Sequence, residues 1–133
     1  MTREILDQAQ TIAVVGLSTN PFKTAHRIPA AMQALGYTVI GVHPSADELL
    51  GRPAYRTLAE VPVPVDIVNV FRPSPEAAGI AREAVAIGAG ALWLQKGIVS
   101  PEAARIADEA GMAYVEDRCI AVDAHRWGVR RSA

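Results

Sequence analysis

The feature that most constrains this chain is an alternation that runs along most of its length. Short apolar, β-branched runs give way to longer alanine-rich stretches of helical period, and Gly or Pro stands at nearly every change. A strand covered on both faces reads as a continuous apolar run, whereas a helix lying on a sheet needs only one apolar stripe. Residues 11–16, Thr11-Ile12-Ala13-Val14-Val15-Gly16, are such a run and end on a glycine. The helix after it is expected to reach about Leu35, closed by Gly36, with Pro29 inside it to kink it or delay its regular part. A second strand is expected at 38–42. The stretch 44–64 reads as a connection with one turn of helix at 45–49 and another at 57–60, and a third strand follows at 66–71.

Two short signals mark the later helices. Ser74-Pro75-Glu76 and Ser100-Pro101-Glu102 each offer a capping hydroxyl, a proline for the first helical position and a carboxylate for the positive first turn. The first of these helices is expected to end near Gly88, with Ala77, Ile80, Ala84 and Ile87 facing the sheet, and the second to end at Ala110 before Gly111. A fourth strand fits 91–94 and a fifth fits 112–115. The tail from Arg118 reads as less regular, and Arg126, Arg130 and Arg131 as a solvated end. Strand, helix, strand with right-handed crossovers gives one α/β domain over residues 1–133, a Rossmann-type doubly wound parallel sheet of about five strands with helices on both faces.

Composition narrows the function. Half of the 133 residues are apolar and a fifth are charged, and a chain of this size buries roughly 65–70% of its unfolded surface without needing a disulfide or a metal. Thirteen Lys and Arg against fourteen Asp and Glu give a net charge of -1, which argues against a nucleic-acid module working through a broad basic face. The start, MTREILDQAQ, lacks a basic region followed by an apolar run, and no window approaches the ~20 apolar residues of a membrane span. The expected location is cytoplasmic, with no membrane partner. The single Cys119 excludes a disulfide within the chain, and the scattered His26, His43 and His125 do not have the spacing of a zinc site.

In a doubly wound sheet, ligands bind beyond the carboxyl ends of the strands. After the first strand, Gly16, Leu17, Ser18, Thr19, Lys23 and Thr24 look like an anion cradle: a glycine that lets a ligand approach the backbone, hydroxyl donors, and a cation near a helix start. The spacing is neither the dinucleotide fingerprint nor the P-loop, so hydroxyls that merely cap the helix are the alternative. After the second strand, Val42-His43-Pro44 has no carboxylate for a ribose hydroxyl until Asp47, which disfavours NAD. His43 can touch a ligand, shuttle a proton or simply pack. Arg72 can pair with a phosphate or with a local carboxylate. Gln95 can bind a ligand or satisfy backbone groups, and Trp93 can pack in the core. Cys119 is either a small apolar filler or, with a positioned base, a nucleophile or redox sensor.

Taken in order, Ala13-Val14-Val15-Gly16-Leu17-Ser18 with Lys23, Gly36-Tyr37, Val39-Ile40-Gly41-Val42-His43-Pro44, Glu48-Leu49-Leu50-Gly51, Val65-Asp66-Ile67-Val68, Trp93-Leu94-Gln95 with Gly97-Ile98, and Asp117-Arg118-Cys119 resemble the stand-alone bacterial CoA-binding proteins. More distantly they resemble the N-terminal domains of succinyl-CoA synthetase alpha subunits and NDP-forming acyl-CoA synthetases. The resemblance implies coenzyme A as ligand, free or acylated. It places Gly16 to Thr19 and Lys23 on the pyrophosphate, Val42, His43 and Pro44 on the adenosine, Phe71 and Arg72 beside the nucleotide, and Gln95, Lys96 and Gly97 along the pantetheine arm. The family pattern commonly reads Val-Asn-Pro-Lys where this chain has Val42-His43-Pro44-Ser45. A lysine suited to the ribose 3′-phosphate is therefore missing, and either another cation such as Arg72 replaces it or affinity falls. The expectation is a binding module without catalytic machinery of its own, with a second copy or a synthetase as protein partner. The alternatives are a small acyl-CoA-dependent enzyme using His43 or Cys119, and an NAD(H)-binding redox sensor.

Overall fold

The apolar runs do form the central layer. In the computed structural model, which describes residues 2–131, helix α1 (Thr2–Gln8) leads into strand β1 (Thr11–Val15), helix α2 (Thr24–Ala34) and strand β2 (Thr38–Val42). A small hairpin of β3 (Glu48–Leu49) and β4 (Arg52–Pro53) and a 3-10 turn (Leu58–Glu60) precede β5 (Ile67–Val70). A second 3-10 turn (Ser74–Glu76) opens helix α3 (Ala77–Ala86), followed by β6 (Ala91–Leu94), α4 (Pro101–Ala110), β7 (Ala113–Val115) and α5 (Ile120–Arg126). The main sheet has the order β2-β1-β5-β6-β7 and every pairing in it is parallel. This is the Rossmann-like α/β fold the alternation called for. The chain reverses its direction of travel across the sheet between β1 and β5, and the switch point lies there.

Side-chain alternation assigns the two faces. Ile12, Val14, Val39, Ile67, Ala91 and Trp93 pack with Leu6, Met32, Ile120 and Ala124 of α1, α2 and α5. Their neighbours Ala13, Val68, Val70, Leu92 and Leu94 pack on the other face with Ala77, Ile80, Ala81, Ala84, Ala103 and Ala107 of α3 and α4. The period of two along each strand therefore sorts the residues between two cores, and the alanines let α3 and α4 lie close to the sheet.

Several local signals act as read. Ser100 caps α4 by accepting from the Ala103 N–H at 3.1 Å, and Gly111 closes that helix in the left-handed conformation at φ 72°. Others act differently. Ser74 does not cap α3; its Oγ accepts from the Val99 N–H at 3.1 Å, and the α-helix starts after a 3-10 turn. Residues 45–49 form no helical turn. Leu50 and Gly51, both at positive φ, close the β3–β4 hairpin, as a two-residue hairpin loop prefers, and Leu49 lies over Gly41, where a Cβ would come within 2.6 Å of its Cδ1.

The first and last of the described segments also fold. α1 and α5 are short helices that pack on one another, with the Trp127 indole N–H donating to Thr2 Oγ1 at 3.0 Å. Arg131 is not part of a solvated end: its backbone N–H donates to Leu35 O at 2.7 Å and its guanidinium to the carbonyls of Leu6 and Asp7. Gly36 is what makes room for it, since a Cβ there would overlap the Arg131 carbonyl oxygen. Among the described residues no helix is long and apolar enough to cross a membrane.

Candidate functional site

The carboxyl edge of the sheet carries two cavities of about 640 Å³ each. The first spans the ends of β1, β2 and β5, and its wall includes Gly16, Leu17, Ser18, Thr19, Lys23, Val42, His43 and Pro44. The second lies over the end of β6 and is lined by Thr24, Gln95, Lys96, Ile98 and Cys119. Ala25, Phe71 and Arg72 belong to both, so the two halves meet at the switch point. Of the residues expected from the sequence to touch the ligand, Gly97 alone lines neither. Its N–H is held by Asp117 Oδ1 at 2.7 Å, and its φ of 89° turns the chain after β6.

The first turn is built by an unusual use of proline. α2 begins only at Thr24, so residues 16–23 are a loop and not the first turn of a helix. Pro29 lies inside α2 without an N–H, which leaves the Ala25 carbonyl without its helical partner. That carbonyl instead accepts from the Ser18 N–H at 3.0 Å, while the Ser18 carbonyl contacts His26 Nδ1 at 2.8 Å. The Gly16 N–H is taken by Val42 O at 3.3 Å. Alternate amides are thus consumed inside the protein, and those of Leu17 and Thr19 meet no acceptor among the described residues. The Leu17 side chain is itself in the core, so this residue offers the cavity its backbone. Gly16 has φ 93°, and a Cβ there would come within 3.0 Å of Arg72 Cδ, so Arg72 lies directly against the turn.

Arg72 is held by Glu76, with Nε and Nη2 donating to the carboxylate at 3.1 and 2.8 Å. Hydrogen bonding from Arg72 keeps the Glu76 carboxyl below the ordinary carboxylate range. Both side chains are about half exposed, 49% and 48%, and such a pair is easily exchanged for another counter-ion. His43 has a structural role. Its Nδ1 accepts from the backbone N–H groups of Ser45 and Ala46 at 3.0 and 2.9 Å, which shapes the turn after β2 and occupies the lone pair a general base would use.

In the second cavity Gln95 is 4% exposed, and its Oε1 accepts from the Ile120 N–H at 3.2 Å and from Asn69 Nδ2 at 3.4 Å. Two donors fix the oxygen there, which leaves the amide nitrogen as the group Gln95 can present, and it meets no acceptor among the described residues. The segment 117–119 clips this wall in place: the Arg118 carbonyl accepts from the Trp93 indole N–H at 2.9 Å, and its guanidinium pairs with buried Asp123 through two contacts of 2.8 Å. No base meets the Cys119 thiol among the described residues.

The sequence reading missed Arg56, Leu58, Ile80 and Glu83 on the first cavity. Arg56 comes from the connection after the hairpin. Tyr55 pairs beside β2 through N–H to Gly41 O at 3.0 Å and through its carbonyl to the His43 N–H at 2.8 Å, and this carries the next residue to the end of β2.

Fold and cavities together define a Rossmann-like domain with an open, two-part cleft at the switch point of its sheet. Residues 10–125 match the CoA binding domain family, and the chain belongs to that family. It is 44% identical over 120 residues to the uncharacterized protein YneT of Bacillus subtilis, covering 90% of this chain and 89% of that one. Among solved structures it is similar to a Thermus thermophilus protein known as cell-free ID.343, at 39% identity and TM-score 0.89 with 94% and 95% of the two chains covered. It is also similar to a dinucleotide-forming acetyl-coenzyme A synthetase of Ca. Korarchaeum cryptofilum in its apo form, at 25% identity and TM-score 0.73. There the likeness covers 86% of this chain but only 27% of the synthetase.

Proposed function

We propose that this protein binds coenzyme A, free or acylated, as a binding module whose own residues supply no turnover. The observation that carries the reading is the pair of cavities joined at Phe71 and Arg72, because a ligand with an anionic nucleotide at one end and a long amide-bearing arm at the other needs two such compartments in line. The pyrophosphate would take the unpaired amides of Leu17 and Thr19, the Lys23 charge, and Arg72 once it leaves Glu76. The arm would pass Thr24 and Lys96 and offer a carbonyl to the Gln95 amide nitrogen, which brings its thiol end toward Cys119. Membership of the CoA-binding family, and the likeness to part of an acetyl-coenzyme A synthetase, support the same ligand. The reading extends to a cytoplasmic protein acting alone, as a homo-oligomer or with a synthetase.

The test is isothermal titration of nucleotide-stripped protein with CoA at near-physiological salt, with Lys23→Ala as the paired sample. Saturable one-site binding that weakens about five- to tenfold in the variant is expected from the loss of one exposed phosphate-facing charge. Absence of binding up to millimolar CoA overturns the reading, and the same cell then takes NAD(H).

A further inference from the structure

At the end of the second strand, a dinucleotide-type sheet holds the ribose: a carboxylate there accepts from ribose hydroxyls, and an arginine there accommodates a ribose phosphate. In this chain the group at that place is Arg56. Its Nη1 donates to Ala46 O at 2.6 Å and His43 O at 3.4 Å, and its Nη2 to Ser45 O at 3.1 Å and Asp47 Oδ1 at 2.7 Å. Three carbonyls fix the guanidinium without cancelling its charge. The one carboxylate that does cancel it, Asp47, is 93% exposed, whereas the Arg56 side chain is 41% exposed and lines the first cavity. Arg72 does not serve this end, because it lies against Gly16 and is paired with Glu76.

We infer that Arg56 recognises a phosphate on the ribose of the bound adenine nucleotide, the 3′-phosphate of CoA, with Asp47 as the counter-ion that the phosphate displaces. A guanidinium offers donors and no acceptor, so it gains far more from a phosphate dianion than from a hydroxyl. The inference rests on the CoA reading above and names the feature of the ligand that this chain selects. The cation at the end of β2 thus arrives from the far side of the hairpin, carried there by the pairing of Tyr55 beside that strand.

The experiment compares the dissociation constants of CoA and dephospho-CoA for the native chain, Arg56→Ala and Asp47→Asn. The native chain is expected to prefer CoA by about ten- to hundredfold, the range of a charge-assisted hydrogen bond. Arg56→Ala should bring the two constants within about twofold. A loosened turn would weaken both ligands together and leave their ratio alone, so the ratio separates recognition from bracing. Asp47→Asn keeps Arg56 in place, removes the competing carboxylate, and should widen the preference. Equal binding of the two ligands by the native chain, or an unchanged ratio in either variant, overturns the inference while leaving CoA binding standing. Failure of both ligands to bind the native chain overturns the CoA reading and this inference with it.

Discussion

Gly16→Ala tests the first turn most directly, because strain and ligand contact meet at that residue. Its φ of 93° lies where an L side chain is strained, which costs about 1–2 kcal/mol. The new methyl would also stand 3.0 Å from Arg72 Cδ and 3.3 Å from Cγ. Arg72 can yield, since it and Glu76 are each about half exposed, so this clash moves the arginine more than it unfolds the chain. Thermal unfolding should therefore fall by about 4–7 °C for a domain of this size. Affinity for CoA should fall by about ten- to hundredfold, the loss of one charge-assisted contact when Arg72 is pushed aside and the Leu17 and Thr19 amides are re-aimed. The control is Gly111→Ala, at φ 72° with nothing within 4 Å of the new methyl. It carries a backbone penalty of about 1 kcal/mol at the end of α4, away from both cavities, and should lower the unfolding temperature without changing the dissociation constant. If Gly16→Ala loses stability yet binds CoA within twofold of the native chain, the first turn is not the phosphate seat.

Three further outcomes are expected. Pro29→Ala supplies an N–H that competes for the Ala25 carbonyl, so the Ser18 amide should exchange with solvent faster by NMR and CoA binding should weaken a few-fold; unchanged Ser18 exchange refutes the role given to the proline. Burial works to raise the Asp123 carboxyl, but hydrogen bonds from Arg118 and Thr2 and the charges of Arg118 and Arg126 outweigh it and hold it below the ordinary range. The stability this gives is present above the unfolded value near pH 4 and is lost as pH falls through the lowered folded value. Asp123→Asn should unfold at lower temperature at pH 7 and show a shallower acid limb in a melting series, and identical acid limbs would count against the pairing. Cys119 lines the second cavity, so saturating CoA should slow its labelling by a thiol reagent. Equal rates with and without CoA would remove the arm from that cavity.

The sequence on its own determined the elements whose signals are local. A strand buried on both faces must be apolar throughout, so 38–42 and 91–94 could be read to the residue, and the first run, read as 11–16, is a strand up to Val15 with Gly16 already in the turn. Ser100 and Gly111 carry the dihedral preferences of helix ends, and Gly16 those of a tight approach. What tertiary structure decided are the features fixed by contacts between distant residues. The seven-residue helices α1 and α5 are too short to form alone and exist because they pack on each other, α5 also on α2, and, through Leu6, Ile120 and Ala124, on the sheet, so no local pattern announces them. Ser74 offers the same hydroxyl as Ser100, yet Val99 claims it. Above all, Arg56 reaches the end of β2 only because Tyr55 pairs beside that strand. A sheet lays the ends of its strands side by side whatever their separation in the chain, and the register of that pairing chooses which cation stands where the second strand ends.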